Sequence, residues 1–120
     1  MNKSLEVLAP VGSTEMLYAA VRSGADAVYL GAKQFNARRN ADNFDGDSLK
    51  EAVLYCHTYG VKVYLTLNIL LTEAELNDAL RLACYAANIG VDGFIVADLG
   101  LCRLLRKHLP NCSLHKYFYL

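Results

Sequence analysis

Three segments of this chain repeat one plan, and that repetition constrains the fold more than any other feature. Each has a glycine that ends a helical pattern, a small or branched residue, a charged residue and then an apolar run. The segments are Gly24–Leu30, Gly60–Thr66 and Gly90–Val96. Repeats of about 30 residues that pass from helix to strand are βα units, and apolar strands between helices indicate a parallel sheet covered by helices. The predicted fold class is α/β.

The same pattern predicts five strands and four helices. Apolar runs place the strands at Leu5–Ala9, Ala27–Leu30, Val61–Leu67, Gly93–Ala97 and from Ser113 onward. Pro10 is expected to end the first strand because it has no N–H to donate. Helix starts are predicted at the N-cap Ser13 and at the capping boxes Ser48–Glu51 and Thr72–Glu75.

Four βα units and a fifth strand make about half of a TIM-type (β/α)₈ barrel, which typically needs ~250 residues. A five-stranded doubly wound sheet also fits 120 residues. Against it, no Gly-x-Gly-x-x-Gly follows the first strand, and no helix follows the last. The chain ends on an apolar, aromatic segment, Lys116–Leu120. These features favour a truncated N-terminal half barrel, with residues 1–120 as one partial barrel domain.

Composition excludes several classes of protein. Apolar residues make up 54% of the chain, and 12 Lys and Arg balance 12 Asp and Glu. A neutral chain argues against diffuse electrostatic binding to nucleic acid, although a local basic cluster could still contact phosphate. No run approaches the roughly 18 apolar residues of a membrane span, and no signal-peptide pattern opens the chain. We therefore expect a cytoplasmic protein with no membrane contact.

The cysteines predict no metal site. There are four, far apart in the chain and without a Cys-x-x-Cys pair: Cys56, Cys84, Cys102 and Cys112. Zinc sites need close ligand pairs, and disulfide scaffolds need an oxidising compartment. Three of the four fall in helical patterns, where a free cysteine behaves as a small apolar side chain. We expect reduced and inert thiols.

Five motifs at the predicted strand ends resemble a known family. In chain order they are Leu8–Ser13, Gly24–Gly31, Phe35–Arg38 with Asn43–Phe44, Lys62–Asn68 and Val96–Gly100. Together they resemble the collagenase-like peptidases of unassigned catalytic type, from residue 5 to the fifth strand. Each motif alone is weak, and their order and separation carry the resemblance.

The resemblance implies an N-terminal barrel-like domain followed by further sequence. Members of the family are peptidases by name, and relatives include a prephenate-dependent tRNA uridine hydroxylase and proteins of oxygen-independent ubiquinone hydroxylation. In the hydroxylase branches an iron–sulfur cluster is held by cysteines beyond the point where this chain stops. The resemblance thus implies no cofactor in this chain and a peptide or an RNA as substrate.

The family pattern continues after His115 with small and polar residues, whereas this chain reads Lys116–Leu120. The departure implies a fragment that is inactive alone, with the missing C-terminal half or a second copy of itself as partner. A non-catalytic half-barrel module that assembles with a second chain is the alternative. No Ser-His-Asp, Cys-His or His-Glu-x-x-His arrangement supports a peptidase mechanism.

Three residues at strand ends are candidates for catalysis, because chemistry in a parallel barrel gathers there. Asn68 could orient a substrate amide or carbonyl, or bond its own backbone as a loop residue. Asp98 could act as a general base, or cap the fourth helix. His115 can transfer protons near neutral pH, although a strand histidine is often structural, and the resemblance favours function. His57 and His108 are predicted to be structural.

Four further residues form the predicted substrate-binding set. Gly12 and Ser13 open a helix whose free N–H groups can receive an anion. Arg38 lies in the loop after the second strand and can bind a carboxylate or phosphate through two parallel hydrogen bonds. A solvated loop is the alternative for Arg38. The motif that carries the resemblance adds Asn43 from the same loop.

Overall fold

A computed structural model of the chain describes residues 6–31, 44, 46–67 and 71–111, and the backbone of residues 113–116. The strands are β1 (Leu8–Val11), β2 (Ala27–Gly31), β3 (Lys62–Leu67), β4 (Gly93–Val96) and β5 (Ser113–Lys116). The helices are α1 (Thr14–Arg22), α2 (Gly46–Thr58), α3 (Glu73–Asn88) and α4 (Leu99–His108). The predicted α/β class is confirmed.

The strand order separates the two architectures that the sequence leaves open. All five strands are parallel and lie side by side in chain order, from β1 to β5. A doubly wound sheet reverses its order at a switch point, and this sheet does not. Because β-α-β crossovers are right-handed in nearly all proteins, sequential order puts every helix on the same face of the sheet. This is the arrangement of a partial (β/α) barrel.

The core lies between the sheet and the helices. Side chains alternate along a strand, and one set belongs to the buried core: Val28, Leu30, Val63, Leu65, Leu67, Phe94 and Val96. The largest helix side chains in this core are Leu17, Leu49, Leu101 and Leu105. The alternate strand positions, which include Tyr29, Tyr64, Thr66 and Ile95, belong to the opposite face, the interior side of a barrel.

The first strand departs from the prediction. β1 begins at Leu8, not Leu5, and it includes Pro10, which pairs with Tyr29 of β2. The prediction that Pro10 ends the strand is therefore wrong. β1 lies at the edge of the sheet, where only one side of the strand is hydrogen-bonded, and proline is tolerated at such positions.

The start of α2 also differs from the prediction. The helix begins at Gly46, so Ser48 lies inside its first turn and is not the N-cap. Just ahead of it, Phe44 N donates a hydrogen bond to Gly31 O at 3.0 Å. This hydrogen bond brings the chain back to the end of β2 immediately before the helix begins. A capping pattern contains only neighbouring residues, so it could not predict this contact.

The other two helix starts follow the sequence. Ser13 Oγ accepts a hydrogen bond from Met16 N at 3.2 Å and caps α1. Thr72 and Glu75 form the predicted capping box of α3: Glu75 N donates to Thr72 Oγ1 at 3.3 Å, and Thr72 N donates to Glu75 Oε1 at 3.0 Å. Among the described residues, no helix has the length and apolar character needed to cross a membrane.

The aspartates of the repeated segments join neighbouring strands at their starts. Asp26, just before β2, accepts a hydrogen bond from Val7 N at 2.7 Å. Asp92, just before β4, accepts one from Val63 N at 2.7 Å. Both aspartates therefore hold the start of the adjacent preceding strand, and this explains their recurrence. Asp92 Oδ2 also lies 2.8 Å from Nε2 of His57, a contact that fits the structural role predicted for this histidine.

Candidate functional site

The carboxyl ends of the parallel strands form the rim where a barrel builds its site. Near this rim the strand register aligns four residues in one row across the sheet: Gly31, Thr66, Ile95 and His115. The backbone of His115 is therefore next to that of Ile95. Its side chain lies outside the described residues, as do Asn68, Arg38 and Asn43 entirely, so the roles proposed for these four remain predictions.

Asp98 connects two segments of the rim. Its side chain is buried. Oδ1 accepts a hydrogen bond from Leu101 N in the first turn of α4 at 2.9 Å, and Oδ2 accepts one from Leu71 N at 3.0 Å. The first bond is the helix cap that the sequence offered as the alternative to a catalytic role. The second ties the segment leading into α3 to the end of β4, so Asp98 is a positioning residue in this geometry.

Gly100, two residues after Asp98, leaves room around the Asp98 carboxylate for the hydrogen bonds from Leu101 N and Leu71 N. A Cβ added at Gly100 would lie 3.1 Å from Asp98 Oδ1 and 3.5 Å from Cδ1 of Leu76. Contacts near 3 Å require the neighbour to move, so a side chain at Gly100 would press on the cap. A general-base role for Asp98 stays a prediction, and it would have to operate with both oxygens already accepting backbone hydrogen bonds.

Gly12 and Ser13 lie at the rim where β1 leads into α1. The Ser13 hydroxyl is already used by Met16 N, and Ser13 O accepts a hydrogen bond from Leu17 N at 3.0 Å. Glu15 adds a negative charge to the first turn, which complements the helix dipole and opposes a bound anion. Anion binding at Gly12 and Ser13 therefore remains a prediction that this electrostatic environment weakens.

Thr66 is a rim residue that the sequence reasoning missed. It is buried, and its Oγ1 donates a hydrogen bond to Leu30 O at 3.2 Å. It shares the register row of Gly31 and His115, so it brings a hydroxyl to the same level of the sheet as the predicted catalytic histidine. A polar side chain inside an apolar strand was the available signal, but threonine is also a common strand residue.

The three thiols that the structure describes do not form a ligand set. Cys56 and Cys102 are buried, Cys84 is exposed, and the three lie on three different helices. Burial, with the negative charge of Asp92 as a smaller cause, raises the pKa of the Cys56 thiol to about 11. A thiol ligates metal as the thiolate, which this environment disfavours. Within the described part of the chain, no three His, Cys, Asp or Glu side chains are grouped to hold a metal ion.

A comparison with protein families identifies the chain. The model of Peptidase family U32 matches residues 12–117, nearly the whole sequence. The chain belongs to peptidase family U32. The resemblance to collagenase-like peptidases in the strand-end motifs is thereby confirmed.

Curated relatives in this U32 family carry two kinds of name. The chain is 36% identical over 115 residues to "tRNA hydroxylation protein P1" of Bacillus subtilis, covering 96% of this chain and 27% of the relative. It is 40% identical over 111 residues to a 23S rRNA 5-hydroxycytidine synthase of Escherichia coli, covering 92% and 16%. It is 43% identical over 95 residues to "Collagenase" of Porphyromonas gingivalis, covering 78% and 23%. The chain thus spans about a quarter or less of the length of these relatives.

Solved structures agree with the half-barrel architecture. The U32 peptidase Mk0906 superposes with a TM-score of 0.68 at 16% identity, over 99% of this chain and 50% of that one. A type I 3-dehydroquinate dehydratase from Clostridium difficile superposes with a TM-score of 0.68 at 12% identity, over 93% and 51%. Likeness at these identities concerns the fold alone. In both cases this chain matches about half of a larger barrel-like protein.

Proposed function

We propose that this U32 chain is the N-terminal half barrel of an RNA-hydroxylating protein. One observation carries the proposal: relatives named for tRNA or rRNA hydroxylation align with 92–96% of this chain at 31–40% identity. The two relatives with peptidase names align with somewhat less of this chain, 89% for an uncharacterized protease of Methanocaldococcus jannaschii and 78% for Collagenase. The family match, residues 12–117, contains β2 to β5, so the similarity includes most of the strand ends where a barrel holds its chemistry.

In this proposal the chain supplies one side of the barrel and part of its rim. Asp98 positions the segment before α3 through the hydrogen bond from Leu71 N. Asn68, three residues earlier in that segment, orients the substrate base, and His115 transfers protons at the rim. The rest of the barrel, or a second chain that completes it, supplies the opposite wall. Neither half is active alone.

The proposal assigns no iron–sulfur cluster to the thiols of this chain. The placement of the three described thiols on three helices and the raised pKa of Cys56 support this assignment. Anaerobic reconstitution with iron and sulfide tests it directly. We expect no stoichiometric chromophore on this chain. A stable cluster that disappears on substitution of Cys56 or Cys102 would contradict the assignment.

Nucleoside analysis of cellular RNA tests the function. Deletion of the gene should remove a hydroxylated pyrimidine from tRNA or rRNA hydrolysates, as measured by mass spectrometry, and the wild-type gene should restore it. His115→Ala and Asn68→Ala should fail to restore it, while His108→Ala, on the last turn of α4, should succeed. An unchanged nucleoside profile in the deletion strain would contradict the proposal.

We place the protein in the cytoplasm, where its RNA substrates lie.

Peptide hydrolysis is the second candidate function, favoured by the 43% identity to the relative named Collagenase. We expect the purified 120-residue chain to leave gelatin and collagen intact, because it forms only one side of the barrel in which a site is built. Robust cleavage that His115→Ala abolishes would favour the peptidase function over RNA hydroxylation.

A further inference from the structure

A surface groove between α1 and α2 plays no part in the rim site. Its volume is about 380 Å³, and it is lined by Tyr18, Val21, Arg22, Tyr55 and Tyr59. Helices of a (β/α) barrel run opposite to the strands. The lining lies on the middle and last turn of α1, on the last turn of α2 and at Tyr59 just after it, and therefore toward the opposite end of the barrel from Asp98. The groove is in the size range of ligand sites, roughly 300–1,000 Å³.

The tyrosines of the groove form a row of rings in edge-on and tilted contact. The centroids of Tyr18 and Tyr55 are 4.6 Å apart with the rings at 62°, and those of Tyr55 and Tyr59 are 5.0 Å apart at 55°. Such edge contacts are favourable for aromatic rings. The row ends at Tyr59, which is 63% exposed. The inner rings therefore fix an outer ring that remains open to a ligand.

A cation stands at the other end of the row. The Arg22 guanidinium carbon lies 5.9 Å from the centroid of the Tyr18 ring. Arg22 is exposed and forms no ion pair with another residue of the described chain, and none of the five lining residues is acidic. A guanidinium held over a ring keeps its N–H groups available for an anion, and arginine binds phosphate well.

We propose that this groove is a docking site for single-stranded RNA, in which an unpaired base stacks on Tyr59 and a neighbouring phosphate binds Arg22. Aromatic rings that take bases, next to a cation that takes phosphate, are the general means of holding single-stranded nucleic acid. The inference rests on the proposed function and adds a substrate contact remote from the rim. A proline-rich peptide also docks on aromatic grooves, but it gives no role to the cation at Arg22.

Binding of a labelled oligouridine to the intact protein, followed by fluorescence anisotropy, tests the stacking contact. Loss of one stacked base should weaken binding at least about fivefold, so Tyr59→Ala should raise Kd by that factor and Tyr59→Phe should not. Leu54→Ala is the matched control, because Leu54 lies on α2 five residues before Tyr59, is 70% exposed and does not line the groove. Thermal unfolding of each variant verifies that it folds.

The charge contact has its own control. Arg22→Gln and Arg103→Gln each remove one exposed positive charge from a helix, and only Arg22 lines the groove. A phosphate contact contributes about one to the slope of log Kd against log salt concentration. Arg22→Gln should reduce that slope and weaken binding, whereas Arg103→Gln should leave both unchanged. Equal effects of the two substitutions would show diffuse attraction and overturn the groove as a site.

The outcomes separate this inference from the proposed function. If the wild-type protein binds oligouridine and Tyr59→Ala binds it equally well, the groove is not the site, and the RNA-modifying function stands. If the wild-type protein binds no RNA and the gene deletion changes no nucleoside, both proposals fall. Binding of a (Pro-Pro-Gly)₁₀ peptide that Tyr59→Ala abolishes, with oligouridine binding unaffected, would assign the groove to a peptide and overturn the RNA inference.

Discussion

Asp98 combines an interaction that its sequence position predicts with one that it does not. An aspartate immediately before a helix is a recognisable N-cap, and the bond from Leu101 N satisfies that expectation. The bond from Leu71 N joins residues 27 positions apart, and no local pattern contains it. At the scale of a single residue, capping was therefore predictable, whereas the link between two rim segments required the fold.

Substituting Asp98 should measure both bonds separately. Asn can still cap α4 through its carbonyl oxygen, but its NH₂ group cannot accept from Leu71 N. We expect Asp98→Asn to lower the free energy of unfolding by about 1 kcal/mol and Asp98→Ala by about 2 kcal/mol. Urea denaturation is the measurement. Asp78→Asn, on the exposed face of α3 with Arg81 at 3.8 Å, should change little. Equal losses for the two Asp98 variants would show that the Leu71 bond contributes nothing.

Cys56 should make stability depend on alkaline pH. Its pKa is raised from 9.0 to about 11 by burial and by the Asp92 charge, so above pH 9 the unfolded chain loses a proton that the folded chain keeps. The contribution of the protonated Cys56 thiol to the free energy of unfolding is intact below pH 9. As the pH rises from 9 to 11, the free energy of unfolding falls by about 1–2 kcal/mol. Urea denaturation across this window, with Cys56→Ala, checks it. The variant should be less stable overall but should show a flatter pH profile, and exposed Cys84→Ala should keep the wild-type slope.

At the scale of the elements, the βα repeat predicted most of the fold, because each unit contains a glycine that ends its helix and an apolar run that forms the next strand. The helix-ending glycines of the three repeats all have positive φ, at 90°, 72° and 106°, and the apolar runs after them are β2, β3 and β4. The errors occur where tertiary contacts decide. β1 is an edge strand that tolerates Pro10, and α2 starts where Phe44 returns to Gly31.

The candidate site was less predictable than the fold. Rim positions follow from strand ends, so Ser13 and Asp98 were found from the sequence, but Ser13 Oγ and Asp98 Oδ1 already accept hydrogen bonds as helix caps. Thr66 was missed, because a strand pattern does not show which neighbour accepts from a hydroxyl. Its acceptor, Leu30 O, belongs to another strand, and only the register of the sheet brings the two together.

The helix-ending glycines should differ in their tolerance of a side chain. A Cβ at Gly60 (φ 72°) would meet nothing within 4 Å, whereas one at Gly90 (φ 106°) would lie 3.3 Å from Cγ1 of Val53. Both alanine variants incur backbone strain of about 1 kcal/mol or more, and Gly90→Ala adds a crowded contact in the core, for a loss of about 2–3 kcal/mol. Thermal denaturation of the pair is the check. A larger loss for Gly60→Ala would contradict the packing explanation.

At the scale of the whole molecule, the described sheet has two free edges, β1 and β5, and its interior face has no opposite wall. A closed barrel has no free strand edges, and its interior face is covered by the opposite strands. Burying apolar surface stabilises the fold by about 25 cal/mol per Å². Leaving several interior side chains in contact with water would therefore lower the free energy of unfolding by several kcal/mol. That is comparable with the whole stability of a domain, about 5–15 kcal/mol. The 120-residue chain on its own should therefore associate, either with the segment or chain that completes the barrel or with a second copy.

Sedimentation velocity at micromolar concentration tests the association of the 120-residue chain. We expect species larger than a monomer, and a defined 1:1 complex when a polypeptide completing the barrel is co-expressed. Leu8→Lys should reduce self-association, because Leu8 is 51% exposed on the edge strand β1 and a lysine there discourages edge-to-edge pairing. Leu54→Lys is the matched control: Leu54 is more exposed, at 70%, but lies on α2 away from either edge, so that variant should associate as the wild type does.

A sharp monomer with cooperative unfolding would contradict the open half barrel. An equal effect of the two lysines would show that association runs through general surface hydrophobicity and not through the edge of the sheet.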